Sequence, residues 1–181
     1  FTAWMVLFVV QPSLAAGGHV ARHRRLGLAA AGLIPAMLVV GMMVAVRGAT
    51  DGWNPGGPYV DALSFMFVGV ADLVVFGAVT MTGLACRRRP GVHKRLMLLG
   101  TIGGLMWPAI TRLPVVAGRL PAMLGVLGLL LLAPVARDFV TRARERWWTL
   151  GVGLAILATF PLRVAIANSG AWRALAAWMV G

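Results

Sequence analysis

Long apolar runs alternate along this chain with short clusters rich in Arg, Pro and Gly. Runs of that length predict helices rather than strands, and the breaks fall where turn-forming residues collect. The pattern gives helices over 1–16, 27–46, 60–85, 96–113, 120–136 and 148–167. After the last run, "GAWRALAAWMVG" sets Trp172, Leu175 and Met179 on one helical face, which predicts a short helix over 170–180 lying on the outer membrane surface in contact with lipid. The expected fold is therefore an all-α membrane protein. It has six transmembrane helices in a single integral membrane domain over 1–181, plus a C-terminal interfacial helix. The first run opens at Phe1; about 15 residues of helix rise only about 22 Å against about 30 Å of hydrocarbon, so that helix is expected to begin upstream.

Composition supports the membrane reading. The chain is 60% hydrophobic and 12% charged, with a mean hydropathy of +0.85, far from the balance of a water-soluble domain. The net charge of +12 does not form an aromatic-interleaved stripe of the kind that grips nucleic acid. It is concentrated in "GGHVARHRRL", "CRRRPGVHKRL" and "ARDFVTRARERW", and only Arg47, Arg112, Arg119, Arg163 and Arg173 lie outside those turns. The positive-inside rule then predicts three cytoplasmic basic loops, a periplasmic C-terminus and a bacterial inner-membrane location. Trp147, Trp148 and Trp53 fall where aromatic belts are expected. The loop "RGATDGWNPGGPYV" is built of turn dipeptides and reads as a connector without regular structure. The single cysteine, Cys86, precludes an intrachain disulfide.

Two basic turns open alike, "HRRLGL" and "HKRLML", and each leads to a Pro-Ala pair; the third leads to Pro161. This suggests three tandem hairpins whose return helices are interrupted at Pro35, Pro108 and Pro161. Gly100 with Gly104, and Gly32 with Ala36, have the small-xxx-small spacing that lets helices pack closely.

Asp72 stands in "GVADLVVFG", close to the middle of the third run. An ionised Asp at the centre of a membrane helix costs about 2.5 to 3.5 kcal/mol on insertion scales, so it must be paired, protonated or facing water. Arg112 and Arg163 are the cations within reach, each just beyond a proline, and Asp61 lies three turns earlier on the same face. With Trp107 and Asn168 they form a candidate buried polar cluster. Its simplest role is to lock helices together; its alternative role is a polar site, open to the outside, for an anionic or amphiphilic ligand.

His19, His23 and His93 are the only imidazoles. His23 and His93 begin the second and fourth runs from the same side and are candidate axial ligands of one b-type haem. Each is followed by two basic residues that belong at headgroup level, so the sequence favours interfacial side chains and a purified protein without a Soret band. His19 and His23 lack a neighbouring carboxylate or thiol, and no metal site is expected. No Ser/His/Asp set, HExxH or carboxylate pair is present to support hydrolysis or group transfer.

At "HRRLG" (23–27) and "RRRPGVHKRLMLL" (87–99) the chain resembles a group of small, functionally uncharacterised bacterial polytopic inner-membrane proteins. The similarity runs through "RLP" (112–114) and "PLR" (161–163). It implies the same membrane location and supplies no activity. The expected function is a non-catalytic accessory or assembly subunit of a larger membrane complex, with lipid and protein partners and no nucleic acid. A small solute or lipid carrier built on Asp72 is the first alternative, and a haem-based electron-transfer protein the second.

Overall fold

The computed structural model describes residues 1–116 and 118–181, and among them there is no strand. The helices are α1 (Thr2–Ala16), α2 (Val20–Thr50), α3 (Ala62–Ala85), α4 (Pro90–Leu105), α5 (Trp107–Ile110), α6 (Leu120–Val140), α7 (Arg146–Ala167) and α8 (Gly170–Val180), with one 3-10 turn at Cys86–Arg88 between α3 and α4. Four segments are long and apolar enough to cross a membrane: Val20–Thr50, Ala62–Arg88, Leu120–Val140 and Arg146–Ala167. α1 and α4, with 15 and 16 residues, are shorter.

α3 is the central element, packing on α2, α4, α7 and α8. α1 flanks α2, and α6 pairs with α7 while also touching α4. The consecutive pairs α1–α2, α3–α4 and α6–α7 are thus three packed hairpins, with basic residues at or beside each turn. Leu99, Leu127, Leu131 and Ile156 are buried among α4, α6 and α7. Trp4, Ile34 and Phe76 fill the space among α1, α2 and α3. Met66, Trp172 and Ala176 join α3 to α8.

The prolines act unequally. Pro35 and Pro161 lie inside the continuous helices α2 and α7, as do Pro12 in α1 and Pro134 in α6. Only Pro108 coincides with a break: α4 ends at Leu105 and a single turn, Trp107–Ile110, follows. Proline cannot donate to the carbonyl four residues earlier, and its ring disfavours helical geometry in the residue before it. The run expected over 96–113 is therefore an α4 that starts earlier, at Pro90, and stops eight residues short. α2 is longer than the 27–46 expected, because Arg22, Arg24 and Arg25 continue its first turns rather than forming a loop. The turn proper is Gly17–His19, with Gly18 at a positive φ of 77°. Residues 51–61 carry no helix, and Gly52, Gly56 and Gly57 there have positive φ.

α8 forms as expected but presents a different face to the bundle. Trp172 and Ala176 are buried, and the Trp172 indole donates to the Leu63 carbonyl at 2.9 Å. Leu175 is 49% and Trp178 79% exposed. The Trp172 side of α8 thus docks on the chain's own α2 and α3 instead of contacting lipid.

Small residues set the closest helix contacts. Gly41 receives Leu73 of α3, and Gly77 of α3 receives Leu38 of α2. A Cβ on Gly104 would lie 2.7 Å from both the Asp72 carbonyl oxygen and the Phe76 Cα, so α4 lies against the α3 backbone there. Gly100 meets Thr80 and Val79 in the same seam. Gly32 has nothing within 4 Å, and it and Ala36 are exposed, so that pair makes no helix contact within this chain. Gly104→Ala should destabilise by about 1 to 3 kcal/mol, since backbone atoms cannot move aside as a side chain does. Gly32→Ala should be neutral or slightly stabilising through helix propensity. Thermal unfolding in detergent reads both, and equal midpoints for the two variants would refute the close seam.

Candidate functional site

Asp72 lies ten residues after the first residue of α3 and thirteen before its last. Its Oδ1 accepts from Arg163 Nη1 of α7 at 2.5 Å, and the two side chains are only 9% and 3% exposed. The Arg163 guanidinium also lies 4.2 Å from the centre of the Phe160 ring, and Phe160 packs on Trp107 at 5.5 Å. The charge is thus paired on one side and rests on an aromatic face. Arg163 Nε and Nη2 are buried without a protein partner among the described residues. Tyr59, half-buried in the loop before α3, is close enough to feel both charges, and burial pushes its phenol above the ordinary value.

The remaining residues expected in this cluster separate from it. Arg112 is exposed and donates to the Pro108 carbonyl at 2.7 Å, so it is not the partner of Asp72. The break at Pro108 takes the chain out of the α4 helix before Arg112 is reached. Asp61 caps α3 by accepting from Ser64 N at 2.8 Å and pairs with Arg173 of α8 at 2.6 Å. Asn168 donates to the Pro58 carbonyl at 2.7 Å and accepts from Val60 N at 3.2 Å, tying the 51–61 loop to the end of α7. Asp61 and Asn168 therefore act as latches at the end of the bundle opposite the basic turns.

Sequence reasoning missed a second buried ion pair. Arg95 of α4 makes a two-point contact with Asp138 of α6, through Nε to Oδ2 and through Nη2 to Oδ1 at 2.7 Å. Thr149 of α7 donates to Asp138 Oδ2 at 2.5 Å, and Glu145 Oε2 lies 3.4 Å from Arg95 Nη1. Arg95 also donates to the Gly91 carbonyl at 2.6 Å. Asp138 and Arg95 are 4% and 8% exposed. One signal was present: Asp138 and Glu145 are two of the five acids in the chain and both fall in a basic segment.

The histidines also come together. His23 of α2 and His93 of α4 have ring centres 6.5 Å apart. His93 Nδ1 lies 2.8 Å from the Gly83 carbonyl, and His23 Nδ1 lies 3.2 Å from the Gln11 carbonyl. His19 is exposed, and Cys86 is a free, half-buried thiol. No group of three or more His, Cys, Asp or Glu side chains suited to a metal ion occurs among the described residues.

No protein-family model matches the chain, and no curated protein or solved structure is significantly similar to it.

Three expectations follow from the ion pairs. Asp72→Asn should leave Arg163 as a buried unpaired cation and cost about 3 to 5 kcal/mol, with Arg163→Gln restoring much of that loss and Arg112→Gln none. The yield and thermal midpoint of folded protein measure this, and a normally stable Asp72→Asn protein would disprove the pairing role. Asp138→Asn should be similarly costly through loss of the Arg95 contact. The third expectation concerns pH. The Ser64 main-chain N–H, assisted by Arg173, holds the Asp61 carboxyl below its ordinary 3.8. Its contribution to stability is present above that value and lost as the pH falls through the lowered one. Asp61→Asn should flatten this acid limb of the pH–stability profile.

Proposed function

We propose that this chain is a non-catalytic integral membrane protein acting as an accessory or assembly subunit of a larger bacterial inner-membrane complex. What supports the reading is the contrast between the polar groups and the hollows. Asp72 and Asp138 are bonded to partners within the chain. Two hollows are instead apolar clefts open to the outside of the bundle. One, of about 340 Å³, is lined by Trp147, Trp148, Gly151, Val152 and Ala155; the other, of about 260 Å³, is lined by residues including Thr82, Leu96 and Trp148. Gly151 and Ala155 are one turn apart, and a Cβ on Gly151 would meet nothing within 4 Å. A small-xxx-small seam beside two tryptophans suits the close approach of a partner's membrane helix.

Arg163 favours a second reading. Two of its donors are buried without protein acceptors, which is the arrangement expected if the Asp72 region receives a small anionic or amphiphilic solute in a carrier.

The membrane arrangement proposed has six crossings, counting α1 and the α4–α5 segment with the four long helices, and three cytoplasmic basic turns. An enzymatic topology reporter fused near Arg88 should read cytoplasmic, and one fused after Gly181 periplasmic; opposite readings at both would refute this topology. The association reading is tested by native size after extraction in mild detergent. A defined larger assembly is expected, and Gly151→Leu combined with Ala155→Leu should release the chain from it while changing stability by under about 0.5 kcal/mol, as surface changes usually do. An isolated monomer or dimer would overturn the accessory role and shift weight to the carrier.

A further inference from the structure

His23 and His93 are each the fourth residue of their helix, α2 and α4. These two helices do not pack on one another: their Cα atoms nowhere approach within 8 Å among the described residues. The imidazoles therefore meet at a place where α2 and α4 are not directly packed, with α1 and α3 beside them. Those flanking helices supply the orienting contacts, α1 through the Gln11 carbonyl and α3 through the Gly83 carbonyl. At His93, an Nδ1–H that donates to the Gly83 carbonyl fixes the tautomer in which Nε2 keeps its lone pair, the usual support of a metal-bound histidine. Neither Nε2 has a hydrogen-bond partner among the described residues.

Spacing and donor count narrow the ligand. Two imidazoles on opposite sides of one metal ion, with metal–nitrogen bonds of about 2 Å, place their ring centres about 6 Å apart. The observed separation is 6.5 Å. Two nitrogens do not complete a site for a bare zinc ion, and among the described residues no carboxylate or thiolate joins them in a metal-binding group. They do complete the coordination of a porphyrin iron, whose macrocycle supplies the other four donors. The surroundings suit that group. Leu84 and Met97 present partly buried apolar surface deeper between the helices, while Arg22, Arg24, Arg25 and Lys94 are exposed beside the two histidines. Guanidinium and ammonium groups there match carboxylate substituents on the edge of a macrocycle.

We propose that His23 and His93 are the two axial ligands of one non-covalently bound, b-type haem. The geometry thus reverses the weight given by the sequence, where the neighbouring basic residues argued for purely interfacial side chains. A competing contact exists at His23: with its oxygen turned to Gly27 N at 2.9 Å, the Gln11 side-chain amide places its nitrogen 2.5 Å from Nδ1. Gln11→Leu removes that contact and leaves the carbonyl, so this variant should bind haem at least as well as the parent.

The test is titration of ferric protoporphyrin IX into the purified full chain in detergent, followed by visible absorbance before and after dithionite. One haem per chain is expected, with a six-coordinate low-spin spectrum and a sharp α band on reduction. His23→Ala and His93→Ala should each lower affinity at least tenfold or leave a five-coordinate high-spin species, while His19→Ala should bind as the parent does. His93→Met keeps an axial ligand of a different kind and should shift the low-spin spectrum without abolishing it, which a merely structural histidine would not do. The absence of saturable binding, a high-spin spectrum in the parent, or undiminished binding in the double His23→Ala/His93→Ala variant would each overturn the proposal. If the alanine variants do not fold, the parent titration and His93→Met decide it. Native size, which reads the accessory role, is unaffected by either result.

Discussion

The salt bridge between Asp72 and Arg163 is the constraint around which the bundle is arranged. A carboxylate midway along an apolar helix has no water to turn to, so α3 must be placed where a cation can reach it. Arg163 fulfils that requirement from α7, and Phe160 takes up the flat face of its guanidinium. Once α7 is fixed against α3, α4 is held between them and has room only if its side chains are small. Gly100 and Gly104 face α3, and Gly103 meets Ile156 of α7. The glycine seam and the buried pair are parts of one solution: the charge selects the neighbour, and the glycines permit the distance.

Polar contacts then pin each end of the bundle separately. At the basic end, Arg95, Asp138 and Thr149 join α4, α6 and α7. At the other end, Asp61 with Arg173 and Asn168 with the 51–61 loop hold α8 and the long connection in place. The midsection between these ends is almost wholly apolar, and packing between apolar helices in lipid provides little orientation of its own. Directional bonds at three levels supply the register that the apolar faces leave undetermined.

The helices were largely legible because an apolar run has few other ways to satisfy its backbone in lipid. Their ends were less so. Basic residues read as a loop, yet Arg22, Arg24 and Arg25 extend α2, since charge at an interface does not terminate a helix. Pro35 and Pro108 look alike in sequence, but only the second marks a break, and nothing in the sequence distinguishes them. Asp72 stood out as the one acid within an apolar run, and its need for a cation followed directly. Choosing between Arg112 and Arg163 required the path of the chain after Pro108. Arg95 and Asp138 gave no comparable contrast, lying among many other charges. That His23 and His93 belong to one end was readable from the turns; that their rings converge depends on α1 and α3 as spacers.

The Asp72–Arg163 contact spans 91 residues of sequence, and this separation has a consequence for biosynthesis. At about 5 to 20 residues per second, some 5 to 20 seconds of translation divide the emergence of the acid from that of its partner. Throughout that interval α3 exists as a helix with an unanswered carboxylate. Its two chemical refuges are protonation and retention at a wet protein surface, and both end when α7 arrives. The chain therefore has a built-in checkpoint: α3 is fully committed to the lipid only after α7 has been made.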